Sequence, residues 1–544
     1  MAPQFATSAD ITNVMPIIND CPHLKSFFVS DFKGIADPSA TYRSQVPAWQ
    51  IIEDVIAGEP AIKATGSMKT YLPKKDKEDE DFYKMRFQGA CWWPFTERAW
   101  SVLASRPFTR PVVCASADDS GIPANTQAVI DDVNLQGYPI HDFAYDTFKV
   151  FLKYGWCAIL VDWSKEPAST LRDQKAIAAR PYGVLIEPRN LLGSMTGVVS
   201  GVPELLQVRM LEIGEGLNSE SLWETLPIRK VRVFDLVHGP YTQDFLRFFF
   251  DNAPQSADNP RPGPFDNLQE NRAVVFRSFH EQRVENQASI WIEDMSERGV
   301  MIDTTGQPLR KIPLVTMYAK KSGTFAAQPP LYQLAKLNLN HYQDWSEQRI
   351  CERYIRVPIR VVIGADEGNL VLGADRILFL PQGSSLEIVQ GSEKAGEFGQ
   401  KALHDLEEKM QLVALDLLAP GNPGNVTATQ KVIEASKEDS ELGAYVHTVE
   451  RGLEEMLSFV NDWYGIDDSE AVTVSIHTDF NWSPEQAKNL NPLEMWKSGA
   501  LSLPTLLGIA QRYDVIGDDV NVLDEIDRIA VERGSLQENQ AFEV

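Results

Sequence analysis

Apolar residues recur every three or four positions over long stretches in the second half of the chain, the spacing of an amphipathic helix. The clearest stripe consists of Leu403, Leu406, Met410, Val413 and Leu417. It predicts a helix over 394–419, and the pattern that follows two prolines predicts another over 331–354, because proline favours a helix start. A third helix is predicted over 427–463, where Thr427 and Gln430 have the spacing of a capping box.

Short β-type runs separated by glycines lie between the first two of these helices. They occupy 355–363, 370–372, 377–380 and 386–389. The pattern therefore predicts a small β module inserted between two helices of similar length, each about 36 Å long at 1.5 Å per residue. After the second helix comes the sequence Pro420, Gly421, Asn422, Pro423, Gly424 and Asn425. Two prolines and two glycines cannot continue a helix, so this segment is predicted to be an exposed loop.

The rest of the chain mixes both kinds of pattern, which predicts an α+β fold. Helices are predicted over 81–105 and 140–153, and the C-terminal region from 483 is predicted to be helical. Strands are predicted at 156–163, 206–210, 228–237, 273–279, 289–293, 314–318 and 472–480. A segment rich in Pro, Asn and Asp, 254–271, is predicted to be a surface loop.

Charge and composition restrict the classes of partner. The 544 residues include 76 acidic and 51 basic side chains, a net charge of −25. This balance argues against a tight duplex-DNA binder, which would show a basic stripe, and against attraction to an anionic membrane. No apolar run approaches 18 residues, and the N-terminus lacks the pattern of a secretion signal. The five cysteines form no CxxC pair, so we expect reduced thiols in the cytoplasm.

Sequence motifs for catalysis or cofactor binding are missing, so we expect no enzyme, no cofactor and no metal. The sequence has no phosphate-binding GxxxxGK[ST], no HExxH for zinc and no GxSxG nucleophile elbow. His341 and His404 fall in helical patterns and are interpreted as packing or surface residues. The acidic run 76–81 lacks the spacing of a calcium loop and is interpreted as a solvated turn, and 364–369 as a hairpin turn.

The order of elements resembles the portal (head-to-tail connector) proteins of tailed bacteriophages. Short stretches of the chain are also similar to one portal subfamily in detail: 71–74 (YLPK), 337–342 (LNLNHY), 406–410 (LEEKM), 427–429 (TAT) and 501–505 (LSLPT). The resemblance covers roughly 70 to 533. It implies an outer wing over 1–327, stem helices at 328–354 and 394–419, and a clip at 355–393. It further implies a tunnel loop at 420–427, a long kinked helix with return to the wing at 428–482, and a helical crown at 483–544.

The function that this resemblance implies is a ring, usually of twelve subunits, at one vertex of the capsid. Double-stranded DNA passes through the channel without sequence specificity during packaging and ejection. The expected partners are other copies of the chain, the terminase large subunit, a head-tail adaptor, and the major capsid and scaffolding proteins, with no membrane. The expected location is the virion, with the host cytoplasm during assembly.

Three groups of residues are candidates for functional sites under this resemblance, each with a plainer interpretation. The loop residues 420–425, above all Asn422 and Asn425, would face DNA, or they form an ordinary surface loop. Arg349, Arg353, Arg356 and Arg360 would meet DNA phosphates or an acidic partner, or they form ion pairs. The 403–417 stripe would supply subunit contacts, or it is ordinary core packing.

Two other classes of protein remain as alternatives. One is a metal-dependent nucleic-acid enzyme that uses clustered carboxylates such as Asp518, Asp519 and Asp524. The other is a different structural protein of the capsid or tail, which does not explain the order of helix, β module, helix and loop.

Overall fold

The computed structural model describes residues 21–28, 32, 34–64, 68–116, 121–163, 180–217, 223, 225–240, 242–251, 271–282, 289–357, 359–363, 383, 385–389, 391–416, 441–466, 472–478, 507 and 528. The chain divides into two compact units, Met1–Thr478 and Asp479–Val544. Nearly all described residues belong to the first unit, since only Leu507 and Arg528 of the second are described.

Eleven α-helices are found in the described residues. They are α1 (Ala40–Ala57), α2 (Glu59–Ile62), α3 (Met68–Tyr71), α4 (Glu80–Gly89), α5 (Phe95–Ser105), α6 (Ala124–Asp131), α7 (Ile140–Tyr154), α8 (Thr242–Asp251), α9 (Tyr332–Arg356), α10 (Glu393–Asp416) and α11 (Glu441–Tyr464). Short 3-10 helices lie at Pro22–Phe28, Arg106–Phe108 and Pro188–Asn190. None of the described helices combines the length and the apolar character needed to cross a membrane.

Fourteen strands accompany these helices in the described part of the chain. They are β1 (Val113–Ser116), β2 (Trp156–Trp163), β3 (Pro181–Ile186), β4 (Leu191–Val199), β5 (Val202–Leu217), β6 (Thr225–His238), β7 (Arg272–Gln282), β8 (Ile290–Val300), β9 (Leu314–Tyr318), β10 (Lys321–Gly323), β11 (Ala326–Ala327), β12 (Ile359–Ile363), β13 (Ser385–Val389) and β14 (Val472–Ser475). The strands form a five-stranded antiparallel sheet in the order 4-5-6-7-8 and a three-stranded sheet in the order 3-2-9. Three antiparallel pairs, β1–β14, β10–β11 and β12–β13, complete the set, and the fold is α+β.

Strand β2 lies at the centre of the main core, with all its side chains buried except that of Trp163. Helices α7 and α11 pack on this strand, and each presents an apolar face with helical spacing. Helix α11 approaches β9 closely at Gly452, where a Cβ atom would lie 2.3 Å from the sulfur of Met317. The core therefore depends on residues from both ends of the first unit.

A buried ion pair connects the five-stranded sheet to β2. Arg232 on β6 donates to Asp162 on β2 at 2.8 Å, and its second amino group is 3.1 Å from Glu212 on β5. Removing one partner of a buried pair leaves an uncompensated charge, which is costly. The pair therefore favours one relative placement of the two sheets.

Helix α7 ends at Gly155 for a steric reason. Gly155 has φ +79° and its N–H donates to Phe151 O at 2.8 Å. A Cβ atom here would lie 2.6 Å from the carbonyl oxygen of Gln328 and 2.8 Å from the Cα of Pro329. Only glycine allows the backbone to turn from α7 into β2 beneath the segment that leads to α9.

Several predicted elements differ from the observed ones. The single helix predicted over 81–105 is wrong, because α4 ends at Gly89 and α5 begins at Phe95, with Ala90 extended and Pro94 at the N-cap. The strand predicted from 355 is wrong at its start, because α9 continues to Arg356. The helix ends there because the next residue, Val357, precedes Pro358, and a residue before proline disfavours the helical conformation. The strand predicted over 472–480 ends at Ser475, since the N–H of Ile476 donates to Glu450 instead of a neighbouring strand.

Other predictions are confirmed or lie outside the described residues. The strands at 156–163 and 314–318 are confirmed to the residue, and α7 extends one residue beyond its prediction. Several predicted segments lie outside the described residues. They are the strand runs 370–372 and 377–380, the loop 420–425, the start of the third helix up to residue 440 and, apart from 507 and 528, the region from 483. The same holds for 254–270.

We predict that Gly155→Ala lowers the free energy of unfolding by about 3 kcal/mol or more, because it adds a steric clash to the cost of a left-handed alanine. Gly137→Ala is the matched control, since Gly137 has φ +74° and open space around its Cβ position. It should cost only about 1–2 kcal/mol. Urea unfolding of both variants measures the difference, and equal losses would contradict the clash with Gln328.

Candidate functional site

Helices α9 and α10 pack side by side as an antiparallel hairpin whose far end carries the β12–β13 ribbon. The direction follows from two contacts, since residue numbers rise along one helix as they fall along the other. His341 Nε2 is 3.2 Å from Glu407 Oε1, and Gln348 donates to the carbonyl of Gly396 at 3.0 Å. The helices have 25 and 24 residues, so they span about the same length. In β12–β13, Ile359 pairs with Val389 and Ile363 with Ser385.

Glycines at the start of α10 allow the two helices to approach each other closely. A Cβ atom at Gly399 would lie 2.0 Å from Gln348 Oε1, and one at Gly396 would lie 2.7 Å from Ile355 Cδ1. Gln348 is 6% exposed, and its amide is held by the Gly396 carbonyl. The pair of glycines therefore makes room for a polar side chain from α9 to bond directly to the backbone of α10.

The predicted apolar stripe of α10 lies on its inner face. Leu403 and Met410 are 5% and 1% exposed within a single chain, and Leu406 and Val413 are half-buried. Leu417 lies outside the described residues. Leu403 and Met410 are therefore packed within the chain itself.

Helix α9 is also fixed by residues at and just before the start of α5. The side chain of Asn338 accepts from the backbone N–H of Thr96 at 3.0 Å and donates to Trp93 O at 2.9 Å. Tyr342 packs against Trp92 in an edge-to-face arrangement, and burial raises the pKa of Tyr342 to about 12. Since Asn338 is fully buried, these bonds replace those that it would make with water.

The segment 71–74 is bonded to α9 and α4 through its backbone carbonyl groups. Tyr71 O accepts from Gln343 at 2.9 Å, Leu72 O from the hydroxyl of Tyr83 at 2.8 Å, and Pro73 O from Arg86 at 2.9 Å. The quoted stretches 71–74, 337–342 and 406–410 thus meet around α9. Their side chains alone did not indicate this, because the bonds from 71–74 use carbonyl oxygens.

The acidic run 76–81 caps and stabilises the start of α4. Asp79 is the N-cap of α4 and accepts from the N–H groups of Asp81 and Phe82. Glu78 forms two hydrogen bonds with Arg86, at 2.7 and 2.8 Å, and this bonding lowers the pKa of Glu78. The prediction of a solvated turn is therefore wrong for Glu78, whose side chain is 5% exposed.

A groove of about 550 Å³ separates α4 from the C-terminal half of α9. The non-polar part of this α4–α9 groove consists of Phe82, Met85, Gly89, Ile350, Tyr354 and Val357. Arg349, Arg353 and Arg356 also line it, so the structure brings three of the four predicted basic residues together. Arg360 lies on β12, and its side chain is outside the described part.

Arg349, Arg353 and Arg356 are the exposed arginines of the α4–α9 groove, and the first and last of them share one described acidic neighbour. Arg349 and Arg356 lie 3.8 and 3.4 Å from Glu352, and the guanidinium of Arg353 lies against the sulfur of Met85. Exposed pairs of this kind contribute about 0–1 kcal/mol. The arginines therefore remain available for a partner at little cost.

One cluster in the described part of the chain has the composition of a metal site. His280, Asp294 and Glu297 bring three ligand atoms within 4.8 Å of one another. The ammonium group of Lys230 contacts Glu297, and His280 Nε2 is 3.1 Å from Asp294 Oδ2. A cation already balances these carboxylates, so the residues form an ion-pair network on the sheet surface. Asp518, Asp519 and Asp524 lie outside the described residues.

His341 and His404 have different environments on the hairpin. His341 is fully buried between Phe95, Trp345 and Glu407, whereas His404 is exposed beside Glu408. The interpretation of both as packing or surface residues is confirmed: His341 is a packing residue and His404 a surface residue. The bond from His341 to Glu407 was not predicted, although both residues lie in quoted stretches.

One protein-family model matches part of the chain. It is described as a domain of unknown function (DUF4055) and matches residues 330–464, which include α9, the β12–β13 ribbon, α10 and α11. No curated protein matches the chain.

Solved structures similar to this chain include components of gene transfer agent (GTA) particles. One is a chain of the virion of a native GTA particle, with TM-score 0.36 and 10% identity, covering 81% of this chain and 96% of that chain. Another belongs to the neck of an empty GTA particle computed with C6 symmetry, with TM-score 0.39, 12% identity and coverage of 81% and 95%. A third belongs to the neck of a native GTA particle computed with C12 symmetry, with TM-score 0.35, 12% identity and coverage of 82% and 98%.

We predict that Gly399→Ala destabilises the chain by about 1–3 kcal/mol, because its Cβ would collide with the buried Gln348 side chain. The same substitution in a Gln348→Ala background should be neutral or stabilising by up to about 1 kcal/mol, since alanine favours a helix over glycine. Urea unfolding of the four chains of this double-mutant cycle measures the coupling. A stabilising Gly399→Ala in both backgrounds would show that the helices do not meet as described.

Proposed function

We propose that this chain is the subunit of a portal ring, the conduit for genome packaging and ejection at one vertex of a phage-type capsid. The observation that carries the proposal is the α9–α10 hairpin: two antiparallel helices of matching length with a β ribbon at their far end, inside an α+β body. This is the stem and clip arrangement that the sequence resemblance implies. The chain would have no catalytic role, and a separate terminase would supply the energy of packaging.

The packing of the hairpin suits a channel wall. Hydrogen bonds fix α9 to α10 through His341 and Gln348, and to the start of α5 through Asn338, so the hairpin is a stiff element. Copies arranged side by side about an axis would form a barrel of helices with the β12–β13 ribbons at one end. In this arrangement 1–327 form the wing, 355–393 the clip and 483–544 the crown.

The charge of the chain suits passage of DNA without capture. At −25 per subunit, twelve copies would carry about −300. An acidic wall repels the phosphate backbone within a Debye length of about 8 Å, so that DNA slides instead of binding. The loop 420–425, with Asn422 and Asn425, would offer uncharged polar contacts to phosphates.

The remaining partners follow from the position of such a ring. The terminase large subunit, and after packaging a head-tail adaptor, would dock at the clip, where the basic residues near the end of α9 offer bidentate bonds to acidic groups. The major capsid and scaffolding proteins would contact the wing. The protein would assemble in the host cytoplasm and reside in the virion.

We expect the purified chain to form a ring of about twelve copies with a central hole. Negative-stain imaging with native mass spectrometry of the same sample measures both the ring and the number of subunits. A compact dimer that persists at high concentration, or magnesium-dependent cleavage of DNA by the purified chain, would contradict the proposal and favour an enzyme.

We further expect deletion of 420–425 to leave ring assembly intact but to impair packaging or retention of DNA. The reason is that the loop would contact DNA inside the channel without contributing to contacts between subunits. The measurement is the DNA content of particles assembled with the deleted chain. A deletion of 256–261, outside the proposed channel, is the control, and normal genome filling by the 420–425 deletion would remove the role assigned to the loop.

A further inference from the structure

The α4–α9 groove carries a basic stripe and, directly beside it, an apolar stripe. They consist of Arg349, Arg353 and Arg356 and of Ile350, Tyr354 and Val357. Each apolar residue follows one of the arginines in sequence, so both stripes advance by steps of four and three residues. At 1.5 Å per residue, each stripe extends about 10.5 Å, which is nearly two turns of a helix.

The apolar stripe is open to solvent. Tyr354 is 43% and Val357 is 65% exposed, and Met85 on the α4 side of the groove is 38% exposed. Exposed apolar side chains rimmed by polar ones mark sites of interaction. Arginine, methionine and aromatic residues are also the types enriched where proteins meet, so the groove has the composition of a protein-binding surface.

The groove is locally basic on an acidic chain. The three arginines of the basic stripe outnumber Glu352, the single carboxylate among the described residues that line it. A fourth lining arginine, Arg86, is already bonded to Glu78 and to the carbonyl of Pro73. Because the chain as a whole carries a charge of −25, the groove is a place where an acidic partner meets attraction instead of repulsion.

We propose that the α4–α9 groove binds an acidic amphipathic helix of a partner protein, with one carboxylate on each arginine of the basic stripe and apolar side chains on the apolar stripe. A helix repeats its side chains in steps of four and three along one face, so it can place carboxylates about 10.5 Å apart beside an apolar face. A nucleic-acid backbone offers phosphates without an apolar stripe. The inference rests on the proposed function, in which a partner docks beside the β12–β13 ribbon.

The size of the groove suits a partner that docks reversibly. A volume of about 550 Å³ holds a few side chains of one helix, whereas a stable interface buries about 1,600 Å². Exposed bonds between arginine and carboxylate are also weakened by solvent and salt. Of the two partners proposed for the clip, the terminase leaves after packaging and the adaptor stays, so the groove is assigned to the terminase large subunit.

Binding of a labelled synthetic helix to the purified chain tests this chemistry. In the peptide, three glutamates spaced four and three residues apart each precede an apolar residue. Fluorescence anisotropy should show binding that weakens with added salt. Gly89→Trp, which fills the groove from the end of α4 where nothing lies within 4 Å of the Cβ position, should weaken binding at least tenfold. The same loss is expected from the joint variant Arg349→Gln, Arg353→Gln and Arg356→Gln.

Three controls separate the groove from general attraction of charge. Gly89→Ala should bind like the unchanged chain, and a peptide of the same composition with its glutamates opposite its apolar residues should bind at least tenfold more weakly. A second joint variant makes the same change of charge at exposed residues outside the groove and should alter binding less than twofold: Arg98→Gln, Lys321→Gln and Arg451→Gln. Equal binding of the two peptides, or equal losses from the two joint variants, would overturn the inference. So would a duplex DNA fragment that binds more tightly than the peptide and is lost with the groove arginines.

Particles assembled with the groove-arginine variant test the assignment to the terminase. The variant should form rings like the unchanged chain but yield particles without DNA. Particles that fill and then lose their DNA during purification would assign the groove to the adaptor, and stable filled particles would show that neither partner needs it. An unchanged chain that binds the peptide but never forms a ring would overturn the proposed function and the assignment to the terminase, while the binding of an acidic helix would stand.

Discussion

The close approach of α9 and α10 is the constraint on which the hairpin depends. At the start of α10, Gly396 and Gly399 leave space that Ile355 and Gln348 of α9 occupy, and a Cβ atom at either glycine would collide with one of these side chains. The amide of Gln348 thereby donates to the carbonyl of Gly396, and this bond favours the observed register of the two helices.

Buried polar side chains make the same helix specific as well as stable. Asn338, His341 and Gln348 are all buried on α9, and each pays a desolvation cost unless its particular partner is present. The partners come from distant parts of the chain. Trp93 and Thr96 lie at the start of α5, whereas Gly396 and Glu407 lie on α10. An apolar face alone would tolerate several rotations of α9, whereas these bonds permit one.

Whether a feature of the fold or site could be predicted depended on how far apart in sequence its interacting residues lie. The bounds of α9, the start of α10 and the periodic placement of Leu403 and Met410 follow from local periodicity and were predicted to within two residues. The break between α4 and α5 was missed because the aromatic residues around Pro94 kept a helical spacing across it. The bonds to the 71–74 carbonyls could not be predicted, since a backbone acceptor carries no residue-specific signal. The α4–α9 groove was missed for a related reason: its two walls are about 270 residues apart in sequence, and each looks like an ordinary half-buried helix face.

A stiff hairpin matters to a head-to-tail assembly because closure depends on angle. In a heterologous assembly every contact repeats the same rotation, so a small error at one contact is multiplied around the ring and yields an open helix instead of a closed circle. If the parts of the chain that meet between copies lay on separately moving elements, the rotation between copies would vary from contact to contact. Helices α4, α9 and α10 instead form one layer, in which Gln348 bonds α9 to α10, and Gln343 of α9 and Arg86 of α4 both bond to the 71–74 segment. In the proposed ring, these polar bonds would keep the angle between neighbouring copies constant, just as they favour one packing of the helices within the folded chain.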